Sequence, residues 1–171
     1  MLTIIKSGAT FAKRASLVTL LSVSCVPNVM AATATGTANA TVITPITIAA
    51  GTALNFGTFA ANASGGTVVV TAGGVRSATG TVALSSTTAG NAGTFNITGN
   101  SGSTFAITYP AAFNVSANAN ANTMSLTITG ATTGTLTGGS TTVSVGGTLT
   151  VGAAQAPGAY SGTYPLIVEY N

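Results

Sequence analysis

The chain has no histidine, no tryptophan and no aspartate, and it holds one cysteine, one glutamate and four cationic side chains in 171 residues. Those scarcities remove most chemistry at the outset. A catalytic site needs a base, a nucleophile or a metal, and the abundant serine and threonine hydroxyls have nothing beside them to take their proton. Paired carboxylates are impossible with one glutamate. Zinc and calcium would lack their usual imidazole, thiolate or carboxylate ligands, and no GxxxxGK[ST] run is present to cradle a phosphate. The sequence therefore predicts a protein that is not an enzyme, with no cofactor and no metal.

The positive charge is unevenly placed. Lys6, Lys13 and Arg14 precede an apolar run over residues 15–26, followed by small residues. That layout predicts a secretory signal peptide over residues 1–31, with Val29 and Ala31 at the positions a signal peptidase reads and cleavage between Ala31 and Ala32. Cys25 lies inside the apolar run. A lipid-modified Cys25 fits poorly, because Ser22 stands where a bulky aliphatic residue is wanted. Cleavage leaves a chain without thiol or disulfide, destined for the periplasm, the cell surface or the medium. From Ala32 onward only Arg76 and Glu169 carry charge. A neutral surface offers no footprint for nucleic acid or an anionic membrane, so neither is an expected partner.

What the chain does have is two-residue alternation. Ala34, Gly36, Ala38, Ala40 and Val42 share one parity, with threonine or asparagine between them, and the register continues through Ile46 and Ile48. Seventeen residues from Ala32 to Ile48 would span about 55 Å at about 3.3 Å per residue, too long for one ordinary strand. Pro45 and Ile43 supply the break. The expected division is an arm over residues 32–43 followed by a domain over residues 44–171.

Within that domain, short apolar or alternating runs fall at residues 54–59, 67–71, 80–84, 94–98, 104–109, 123–129, 141–145 and 148–151, before a final strand at 164–170. Gly73-Gly74, Gly99-Asn100, Gly138-Gly139 and Gly146-Gly147 read as turns between them. No stretch has helical periodicity, and the fold class is all-β, an antiparallel sandwich or barrel. A solenoid is disfavoured, because the similar GGTVVV and GGTLTV segments lack copies at a fixed period. A lipid-facing barrel is disfavoured by alternating faces of alanine, glycine and threonine without aromatic girdles. Residues 118–122 (NANAN) read as a loop, and Arg76, within GGVRSATG, reads as a solvated loop charge. The final strand is the best specified: Tyr164, Leu166, Val168 and Tyr170 form a large apolar face, with Pro165, Ile167, Glu169 and Asn171 on the other. Such a face must be covered.

Four stretches carry a family resemblance: LNFGTF at residues 54–59, GVRSATG at 74–80, GGTLTV at 146–151 and PGAYSGTY at 157–164. Together they resemble a family of secreted bacterial domains of unknown function, number 4402. More distantly, residues 54–57 and the Gly158-x-Tyr160 ending with Tyr170 look like subunits of chaperone-usher pili of the archaic and spore-coat-like classes. That likeness implies an incomplete immunoglobulin-like β-sandwich whose missing strand is supplied first by a periplasmic chaperone and later by the N-terminal arm of the next subunit, by β-strand addition, with a chaperone and usher as the implied partners. On this implication the donor is the arm carrying Ala34, Gly36, Ala38, Ala40 and Val42, and the acceptor is lined by Tyr164, Leu166, Val168 and Tyr170. The expectation is a structural protein of the cell surface, pilin-like or a matrix component. The alternative is a self-contained sandwich serving as an adhesion or ligand-binding module. Binding of ice or carbohydrate by flat threonine faces is disfavoured, since the threonines do not form a regular array.

Overall fold

A computed structural model of the chain describes residues 30–117 and 122–171; the expected signal peptide, apart from its last two residues, and most of the NANAN segment lie outside them. Residues 30–40 form a separate unit with no strand or helix, and their side chains are exposed. From Thr41 onward the chain forms a second unit. Its strands are β1 (Thr47–Ala50), β2 (Phe59–Ala60), β3 (Gly66–Val70), β4 (Arg76–Gly80), β5 (Ala83–Leu84), β6 (Gly93–Thr98) and β7 (Thr104–Thr108). They continue as β8 (Phe113–Ala117), β9 (Thr123–Gly130), β10 (Thr133–Thr135), β11 (Ser140–Val151), β12 (Tyr160–Ser161) and β13 (Ile167–Tyr170). The one helical element among the described residues is a short 3-10 turn, Thr137–Gly139.

All pairings are antiparallel, and they make one large sheet and two small ones. The large sheet runs β1-β6-β11-β9-β8-β12, with β3 and β4 attached beside β11. A three-stranded sheet runs β10-β7-β13, and β2 pairs with β5. One apolar cluster joins the layers: Val68, Ile97, Met124, Leu126, Val145 and Leu149 come from the large sheet, Phe105 and Ile107 from the three-stranded one. This is the all-β sandwich that alternation requires. In β9 the pattern is plainest, with Met124, Leu126 and Ile128 buried while Thr123, Ser125, Thr127 and Thr129 are exposed.

The organising element is β11. It pairs with β6 through residues 140–145 and with β3 through residues 147–151, both on one edge, while β9 occupies the other edge through residues 145–150. At about 3.3 Å per residue, twelve residues extend about 40 Å. The sequence reading divides this stretch at Gly146-Gly147, but those glycines lie within the strand. The reason is steric. A side chain at Gly146 would strike the Val70 carbonyl, where β3 turns away over the sheet, and at Gly147 a Cβ would meet the Thr127 carbonyl at 2.9 Å and Leu54 at 3.3 Å. Here glycine permits close approach rather than reversal.

Other boundaries differ as well. The expected strand at residues 80–84 is interrupted: Gly80, with a φ of 69°, ends β4, Thr81 and Val82 form the turn, and Ala83–Leu84 are β5. GGVRSATG, expected as a turn, holds a true turn only at Gly73-Gly74; Arg76 to Gly80 form β4 against β3. Residues 54–59 contribute a single bridge, Asn55 to Asn91, and the start of β2. Strands β8, β10 and β12 are absent from the sequence reading.

Candidate functional site

The last strand brings its predicted face inward but leaves it partly open. Tyr164, Leu166, Val168 and Tyr170 all pack against the core, and each is half-buried. Ile167 on the opposite face is 54% exposed. Only residues 167–170 are in strand conformation, paired with β7.

The polarity of that edge follows from the ladder. The Asn171 amide donates to the Thr104 carbonyl (3.2 Å), and hydrogen-bonded pairs alternate along an antiparallel ladder. Ile167 and Glu169 therefore turn their backbone groups toward β7, and Val168 and Tyr170 turn theirs away. Consistently, the Ile107 amide opposite Val168 donates to the Thr132 carbonyl (2.8 Å) on the far side of β7. No strand among the described residues pairs with the outer edge of β13. An edge bearing unpaired N–H and C=O groups is a template for another strand.

Tyr170 pins the end of this strand. Its hydroxyl accepts from the Asn100 amide (2.6 Å) and donates to the Thr44 carbonyl (2.7 Å). Tyr164 bridges the sheet: its ring meets Phe95 of β6 edge-on at 6.0 Å and lies tilted on Phe113 of β8 at 5.8 Å. Burial raises the pKa of Tyr164; burial, and then the neighbouring Tyr164, raise that of Tyr109.

The candidate donor residues Ala34, Gly36, Ala38 and Ala40 are exposed and strandless, as are Ala31 and Ala32 of the expected cleavage site. Val42, in the second unit, is 96% exposed.

A cleft of about 820 Å³ opens into the second layer. Its floor is Val115, Met124, Leu126 and Leu149 of β8, β9 and β11, and its walls are residues 53–61 and 155–162 with Tyr164. The sequence reading missed this feature. Arg76 positions one wall, and it is no free loop charge. Nη1 donates to the carbonyls of Phe56 (3.1 Å), Thr58 (3.3 Å) and Thr88 (2.9 Å), and Nη2 to that of Ser85 (2.6 Å). Gly57 is obligatory there: it has a φ of 67°, and a Cβ would strike Nη1. The opposite wall is closed by Tyr160, whose hydroxyl donates to the Ala156 carbonyl and accepts from Gln155, both at 2.8 Å.

Fold and site together define an all-β sandwich with a half-covered terminal strand, an open strand edge and an uncharged cleft with an apolar floor. The chain belongs to the family described as Domain of unknown function (DUF4402), whose model matches residues 46–170. No curated protein and no solved structure matches it significantly.

Proposed function

We propose that this chain is an exported, non-enzymatic structural protein of the cell surface whose copies associate by β-strand addition, as a pilin-like subunit or matrix component. The observation that carries this reading is the outer edge of β13. Among the described residues no strand pairs with the backbone groups of Val168 and Tyr170 there, while their side chains remain half-buried against the core. A strand laid along that edge gains main-chain hydrogen bonds and covers apolar surface in one step. Residues 32–43 supply a matching donor: exposed, uncharged, without a strand of their own, and alternating in small apolar side chains. Alanine adds less than leucine per contact, at about 0.8 kcal/mol per buried CH₂, so backbone pairing carries more of the association. A periplasmic chaperone would hold the same edge before assembly.

The test is the size and stability of two versions, one starting at Ala32 and one at Thr44. Strand addition predicts concentration-dependent oligomers for the longer version only, and binding of a synthetic peptide of residues 32–43 by the shorter one. Two monomers of equal stability, neither binding the peptide, would refute it. A second reading, a self-contained module that binds ligand at the surface, is favoured by the cleft.

A further inference from the structure

We propose that the cleft between residues 53–61 and 155–162 binds an uncharged small molecule with a flat apolar body and one hydrogen-bond acceptor. This is independent of strand addition at β13. The argument begins with charge, because the cleft lining contains no acidic or basic side chain. A charged ligand would be stripped of water there with nothing to compensate it. The walls carry Asn55, Thr58, Gln155 and Ser161, but the floor of Met124, Leu126 and Leu149 is aliphatic, so the part of the ligand that meets the floor is apolar. The walls favour a ring. Phe56, Tyr160 and Tyr164 offer aromatic surfaces, and the volume of about 820 Å³ is that of a small-molecule site.

Polar selectivity would come from Tyr164. The hydroxyls of Tyr109, Tyr160 and Tyr170 each donate to a main-chain carbonyl, of Ala131, Ala156 and Thr44. That of Tyr164 has no hydrogen-bond partner among the described residues, although the ring lines both this cleft and the adjoining depression of about 300 Å³. The ring is half-buried, and a hydroxyl with no partner of its own is free to donate to a ligand acceptor.

Nile red, a neutral planar dye with one carbonyl acceptor and emission that shifts to the blue in apolar surroundings, is a suitable probe for the exported protein. Saturable one-to-one binding with blue-shifted emission is expected. Ala156→Trp and Ala159→Trp, which narrow the cleft from the half-buried and the exposed side of one wall, should each weaken it at least ten-fold while thermal unfolding stays unchanged. Tyr164→Phe should weaken it about five-fold, the loss of one hydrogen bond. Non-saturable binding, or saturable binding unaffected by both tryptophans, would overturn the proposal. So would displacement of the dye by the peptide of residues 32–43, which would assign the cleft to the arm of a second copy.

Discussion

At the level of single residues, the polar anchors matter more than their number suggests. Arg76 satisfies four carbonyls from two segments with one planar group, a geometry that a single ammonium does not reproduce. Arg76→Ala should cost about 2 kcal/mol, read as a lower denaturant midpoint, and Arg76→Lys should restore less than half. Nothing in GGVRSATG reveals those acceptors, because residues 56–58 and 85–88 meet Arg76 only through the fold. The tyrosines give a pH signature. In Tyr109 and Tyr164 the folded-state pKa is raised, so the stability linked to them is complete below the unfolded value of about 10 and is lost as pH rises through the higher folded value. The melting temperature should be level from pH 7 to 9 and fall above about pH 10. The double change to phenylalanine should reduce that fall, measured by thermal scans across pH.

Among the elements, legibility followed the length of the alternation. Strands β6, β7 and β9 lie within a residue of where periodicity puts them, because threonine and large apolar side chains alternate through each. By contrast, β10 is three residues of TGT, without an apolar side chain to mark it. Leu136, just beyond it, is fully buried, yet it stands alone among glycine and threonine. Leu136→Ala should cost about 2 to 5 kcal/mol by equilibrium unfolding. β11 was misread for the opposite reason: its pattern is continuous, but paired glycines usually signal reversal. Gly146→Val should unfold the domain or cost about 1 to 3 kcal/mol, whereas a valine at Gly74, where a Cβ meets nothing within 4 Å despite a φ of 80°, should pay mainly backbone strain. The β13 face was legible in sequence; its open edge was not, since periodicity shows which side chains point inward and never which backbone groups lack a partner.

For residues 32–171 as a whole, near neutrality and an open strand edge pull in one direction. Without self-repulsion, copies approach freely, and association should vary little with salt, in contrast to assemblies built on ion pairs. Light scattering of the version starting at Ala32, at low and high sodium chloride, would register this: oligomer size that collapses at high salt would contradict a backbone-driven contact. The placement of β11 also fixes the order of events as the chain emerges. β3 and β6 have β4 and β1 beside them early, but the central strand that joins them begins 70 residues after Val70 and 42 residues after Thr98, so the large sheet cannot close until late in synthesis. Non-local pairing of this kind folds slowly. Under the proposed export, the chain would cross a membrane before its large sheet closes, and its apolar strands would need protection on the far side until residues 140–151 arrive.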